Sequence, residues 1–175
     1  MRDQSAITTY HEAGHVVMAM ANGFTVTRMS NVASDVGRGF VEWQSPQPPT
    51  TASRVGSVLV LSAGIAADYI HWNQNGAAAD EVIKGHNDDR RQAEIHLDAI
   101  GQSGEFETYV GMSTHFLRRP VVWQWVDDFA ALMTAAGTID GRELLYRASQ
   151  KVPRFEAADL DLLERAIEAS KGSPL

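Results

Sequence analysis

Two histidines one helical turn apart, in the run His11-Glu12-Ala13-Gly14-His15, constrain this chain more than any other feature. Around them, from Asp3 to Ala21, apolar and small residues recur at Ile7, Tyr10, Gly14, Val17 and Ala21, a spacing that predicts a helix with one buried face. Asn22-Gly23 supplies the stop, because glycine readily adopts the left-handed cap conformation. An α-helix turns by about 100° per residue, so His11 and His15 project from nearly the same face. A helix built this way needs a core on one side and a partner for two imidazoles on another.

Two imidazoles at that separation suit a shared tetrahedral cation, and zinc is the ion whose ligand chemistry fits best. Glu12 flanks the pair and is placed to take a proton from water in the open coordination position. Zinc brings the pKa of such a water towards about 7, so neither a serine nor a thiol nucleophile is needed. The same His pair can also arise as ordinary surface polar residues, and metal binding is the reading that the surrounding apolar face favours. The chain has no cysteine, which excludes disulfides and thiolate sites. Any third ligand must therefore come from the downstream carboxylates and histidines.

The rest of the chain bounds this reading. At 175 residues with 44% hydrophobic content it fits one domain with a real core. A net charge of −7, with basic residues scattered or merely paired as in Arg90-Arg91 and Arg118-Arg119, argues against a nucleic-acid partner. The most apolar stretch, Val55 to Ile70, is interrupted by Ser57, Ser62, Gly64 and Asp68 and is shorter than a bilayer requires, so a buried helix is expected and no membrane span. No secretory pattern opens the sequence, and a cytoplasmic location is the expectation.

Periodicity predicts strands over Phe24–Val32 and Phe40–Trp43, joined by a turn at Gly37-Arg-Gly39. Ser45 to Pro49 breaks regular structure, and helix resumes from Thr51 to Trp72. Asn73–Ala79 reads as a loop. Asp88–Ile100 is expected to be helical, with Ala93, Ile95, Leu97 and Ile100 in the core. Gly101–Gly111 is ambiguous. Val121–Ala136 is a helix carrying Trp123, Trp125, Val126, Phe129, Leu132 and Met133, ended by Gly137. Asp140 and Glu143 resemble a capping box for a helix through Ala148. Pro153 punctuates, Phe155–Ser170 forms a last amphipathic helix with Leu160, Leu163 and Ile167, and Ser173-Pro-Leu175 reads as a loose tail. The expected fold class is α+β, mostly α: a helical bundle around the H-E-x-x-H helix, with a small β-hairpin or short sheet after it. The single domain 1–175 divides into the motif helix (1–23), short strands (24–44), helices bearing the third ligand (51–100) and C-terminal helices (121–170).

Thr9-Tyr-His-Glu-Ala-Gly-His-Val-Val-Met-Ala19 resembles the start of the peptidase domain of FtsH-type ATP-dependent zinc proteases. The likeness continues in order. Thr25-Val-Thr-Arg28 and Gly39-Phe-Val-Glu-Trp43 are similar to the family's two short strands. Ser62-Ala-Gly-Ile-Ala-Ala-Asp68 is similar to its G-R-A-A-E helix, with Ile65 at the Arg position and Asp68 at the Glu position. Gly85-His-Asn-Asp-Asp-Arg-Arg-Gln-Ala93 is similar to the family segment whose Asp is the third zinc ligand, and the Val126–Leu145 helices resemble its C-terminal pattern. A gapless match through Gly85 and Ala93 puts that ligand at Asp89, whereas pairing the Asn-Asp dipeptide would choose Asp88; the two flanking landmarks favour Asp89. The likeness implies a zinc metallopeptidase: His11, His15 and Asp89 bind Zn2+, and Glu12 is the general base acting on a peptide or protein substrate. The chain contains neither a G-x-x-x-x-G-K-[ST] loop nor an expected membrane anchor. The expectation is a stand-alone, ATP-independent relative, to which a separate partner could deliver substrate.

Other residues take lesser roles. Glu42 and Asp68 are candidates to orient a ligand histidine through a hydrogen bond. His96 shares the helix face of Asp89 but sits about 10 Å along the axis, and it and His86 read as core-edge or surface residues. His71 and His115 have no partner pattern, and at least one of Trp123 and Trp125 belongs to the core. The family likeness also makes Phe40–Trp43 a candidate edge for binding an extended peptide by strand addition. The competing reading is a non-catalytic zinc-binding module that acts through protein interaction or regulation; a third is a metal-free helical domain.

Overall fold

In the computed structural model the described residues are 4–33, 39–75 and 87–172. Helix α1 (Gln4–Ala21) is the axis of the fold. Every residue from Glu12 to Ala21 is buried, so this part of the helix is enclosed on all sides rather than along one stripe. It packs on α2 (Thr51–Asn75) and on α5 (Pro120–Ala136). It ends in a Schellman arrangement at Asn22-Gly23: Gly23 has φ +75°, and the Phe24 N–H donates to the Ala19 carbonyl at 2.9 Å.

The crossing of α1 and α2 is very close. A Cβ on Gly14 would stand 2.5 Å from the Ala63 carbonyl oxygen and 2.6 Å from the Ala67 Cβ. The obstruction at the first contact is backbone, which cannot rotate away. The small residues Gly14, Ala63 and Ala67 are therefore what lets the two helices meet. Helix α2 begins with a reciprocal cap in which the Thr50 N–H donates to Ser53 Oγ and the Ser53 N–H to Thr50 Oγ1. At 25 residues it is longer than the expected stretch and, by length and composition alone, long and apolar enough to cross a membrane, yet 78% of its apolar window is buried inside the protein. It serves as a core helix, as its interrupting serines and Asp68 imply.

The strands form a three-stranded antiparallel sheet in the order β2-β1-β3, built from β1 (Thr25–Ser30), β2 (Phe40–Gln44) and β3 (Thr138–Asp140). The first two are the expected pair; the turn between them at Gly37-Arg38 lies outside the described residues. The third strand was not expected. Only three residues long, it carries no alternation to read, and Gly137 (φ +72°) turns α5 directly into it.

Asp140 closes that strand opposite Arg28 and does not cap the next helix. Helix α6 (Arg142–Ser149) has Gly141 at its N-cap and no side-chain cap, so the expected capping box does not form. The ambiguous Gly101–Gly111 region resolves into a loop followed by α4 (Phe106–Leu117), which buries Phe106, Tyr109, Phe116 and Leu117.

On α3 (Asn87–Ala99), Ala93 and Leu97 are buried, but Ile95 is 61% exposed and Ile100 beyond its end only half-buried. Ile95 lies two residues from each buried position, which on a helix is the opposite face. Leu132 on α5 and Leu160 on α7 (Ala157–Gly172) are likewise exposed rather than core. Asn73–Asn75 belong to α2, and the rest of the expected loop, with the 173–175 tail, lies outside the described residues.

Replacing Gly14 by Ala is expected to cost roughly 1–3 kcal/mol, the usual penalty for overpacking a tight core. Urea unfolding monitored by circular dichroism tests this, and an unchanged midpoint would mean that the helices separate freely.

Candidate metal centre

His11 and His15 leave α1 on the side facing α2, and α2 engages the outer nitrogen of each ring. The His15 Nδ1–H donates to the Val60 carbonyl at 2.7 Å, and His11 Nδ1 lies 3.3 Å from Asp68 Oδ2. A carbonyl and a carboxylate only accept, so both Nδ1 atoms carry the proton, and in the neutral rings both Nε2 atoms present a lone pair. The rings stand nearly perpendicular, at 87°, with their Nε2 atoms 3.0 Å apart. Asp89, in the first turn of α3, brings Oδ2 to 3.1 Å from His11 Nε2 and 3.5 Å from His15 Nε2.

These three edges are close to those of a zinc tetrahedron, where ligand bonds of about 2.0 Å place neighbouring ligand atoms roughly 3.3 Å apart. Three electron-pair donors facing one another at this range repel unless positive charge sits among them. The donor set of two imidazoles and one carboxylate, with a second carboxylate behind His11, therefore fits a divalent cation in both geometry and charge.

Protons are the other source of such charge. Burial disfavours the protonated His11, but hydrogen bonds to Asp68 and Asp89 outweigh it and hold the ring well above the usual histidine range. His15 is raised as well, burial opposing and the Asp89 charge prevailing. Asp89 is held well below the usual carboxylate range: burial would raise it, and the two histidines more than reverse that. Glu12 moves the other way. It is buried, and desolvation raises its pKa despite both neighbouring histidines. A Cβ on Gly39 would come within 2.8 Å of Glu12 Oε1 and of the Ser30 carbonyl oxygen, so the entry to β2 runs directly past this carboxylate.

Among the candidates from sequence, His11, His15 and Asp89 converge, with Glu12 alongside and Asp68 behind His11. Asp88 points away, exposed and paired with Arg91 at 3.1 Å. Glu42 orients no histidine; it lies on the exposed side of β2, 3.7 Å from Arg28. His96 is half-buried outside the cluster, His115 is exposed, and His86 lies outside the described residues. His71, which had no pattern to announce it, is buried and stacks on Tyr10 with centroids 3.7 Å apart. The Tyr10 hydroxyl donates to Asp127, and burial with that carboxylate pushes its pKa up to about 12. Trp123 also stacks on Tyr10, with centroids 5.9 Å apart, and Trp125 lies against Phe129, so both tryptophans pack on the core. The Val60 carbonyl escaped the sequence reading because a backbone acceptor has no side-chain signature.

No known family model matches this chain, and no curated protein matches it.

The raised histidines stabilise the metal-free fold fully below their unfolded pKa of about 6.5, and that contribution is lost as pH rises through their folded values. The depressed Asp89 contributes above about pH 3.9 and is lost on acidification. Metal-free protein is therefore expected to lose thermal stability as pH climbs past about 6.5, and saturating zinc is expected to abolish that loss. Melting curves from pH 5 to 9, with and without zinc, give the comparison; parallel curves would contradict it.

Proposed function

We propose that this chain is a zinc-dependent metallopeptidase of the FtsH-like type, with His11, His15 and Asp89 holding Zn2+ and Glu12 as general base. One observation carries this reading: two Nε2 atoms and a carboxylate oxygen meet within 3.0–3.5 Å, with a further buried carboxylate beside them. When bound, the metal polarises the scissile carbonyl and makes water acidic enough to serve as a nucleophile at neutral pH.

The chain's own residues do the remaining work. Glu12, made more basic by its burial, accepts a proton from water as the water oxygen adds to the carbonyl carbon. It then passes that proton to the amide nitrogen as the C–N bond breaks, and the free acid and amine leave. Asp68 holds the His11 tautomer, as the Val60 carbonyl does for His15. Asp89 and His11 are partly exposed while His15 is buried, which supports approach from the α3 side. Among the described residues β2 is an edge strand, and its first residues pass Glu12. That supports an extended peptide or protein segment as substrate, paired along Phe40–Trp43.

Glu12→Gln is expected to retain one zinc per chain and to lose at least about 100-fold in peptide hydrolysis, the usual contribution of a general base. A metal-loaded wild-type chain that cleaves no unfolded polypeptide would favour the non-catalytic module instead, and undiminished hydrolysis by the variant would remove Glu12 from the mechanism. Proline substituted in turn at positions 40 to 43 is expected to raise KM wherever an outward N–H is lost, with zinc content unchanged. Unaltered kinetics across all four positions would rule out this strand as the substrate rail.

A further inference from the structure

Two glycines lie at the α1–α2 crossing, and what crowds them differs in kind. At Gly14 an added Cβ would meet the Ala63 backbone. At Gly64 the three nearest atoms are all imidazole: His11 Cε1 at 2.4 Å, His11 Nε2 at 2.6 Å and His15 Nε2 at 2.6 Å. A methyl group there would not push the helices apart first. It would displace the two rings at the edges that face each other.

We propose that Gly64 is a positioning residue for the metal centre: its missing side chain is the clearance that lets both Nε2 atoms turn towards one cation. This rests on the zinc reading above and assigns a role to a residue that binds nothing itself. Neither ring can evade a methyl group and keep its place. His15 is tied by Nδ1 to the Val60 carbonyl, four residues before Gly64, and His11 is tied to Asp68, four residues after it. Gly64 thus lies between the two anchors on the same face of α2, one turn from each. Rotating either ring away from position 64 breaks its anchor and swings its lone pair off the common point.

The test compares wild type with Gly64→Ala, using zinc affinity by competition with a chromophoric chelator and the visible spectrum of the cobalt-substituted protein. The expected result is a loss of zinc affinity on the order of 10–100-fold, the range for disturbing the partners of metal ligands. The cobalt spectrum is expected to shift from its tetrahedral form, with little change in the far-ultraviolet circular dichroism of the metal-free chain. Affinity within about threefold of wild type, with an unaltered cobalt spectrum, would overturn the proposal. If Gly64→Ala folds poorly, its metal-free stability is compared in a background carrying both His11→Ala and His15→Ala, which removes both rings that an added Cβ would meet. Recovery there supports ring clearance, and an undiminished penalty shows a backbone clash and overturns it. A wild-type chain that binds no zinc would defeat the underlying zinc reading, and that arm is read before any variant is compared.

Discussion

Helix α1 can carry two imidazoles into the interior only because α2 approaches closely enough to receive their outer nitrogens. The approach is set by Gly14 against Ala63 and Ala67, where any larger residue would meet backbone. Once the helices are that close, the Val60 carbonyl and the Asp68 carboxylate fall opposite His15 and His11. Buried polar groups are costly unless paired, and this pairing makes an interior histidine cluster affordable. The sheet then closes one end of the site, with Gly39 against Glu12, while α3 delivers Asp89 from another.

The electrostatics of the cluster follow from the same geometry. Three carboxylates, Glu12, Asp68 and Asp89, surround two imidazoles in a largely enclosed volume. The arrangement calls for compensating positive charge, and its components respond in opposite directions. The histidines and Glu12 hold protons more tightly than usual, whereas Asp89 releases its own more readily. Groups whose environments drive them apart in this way are suited to distinct roles, with Asp89 as a permanent anion and Glu12 as a group able to take up and return a proton.

Where sequence and structure part, the cause is a force that periodicity does not encode. Ile95 is apolar but lies opposite Ala93 and Leu97, so helical geometry exposes it. Asp140 and Glu143 have the spacing of a cap, but strand pairing with Arg28 claims Asp140 first. Strand β3 exists because β1 offers a free edge to the residues leaving α5, a matter of position rather than of local propensity. Glu42 sits on the exposed side of its strand, where Arg28 is its partner.

Local features were determined by the sequence itself: the extent of α1 and α5, the one-turn separation of His11 and His15, the glycine stops and the absence of any thiol. Each depends on residues within a turn or two of one another, and helix geometry converts such spacing directly into shape. The choice of Asp89 over Asp88 came from flanking landmarks in a family likeness, and the packing of α3 turns the first inward and leaves the second paired with Arg91. Tertiary structure alone brought these groups together and added the Val60 carbonyl. Val60, Asp68 and Asp89 lie 45, 57 and 78 residues from the histidines they meet. Contacts across such distances are made when helices pack: a backbone carbonyl has no side-chain signature, and Gly64 shows in the sequence only as a glycine, while the two imidazoles that crowd it are brought there by the packing of α1 on α2.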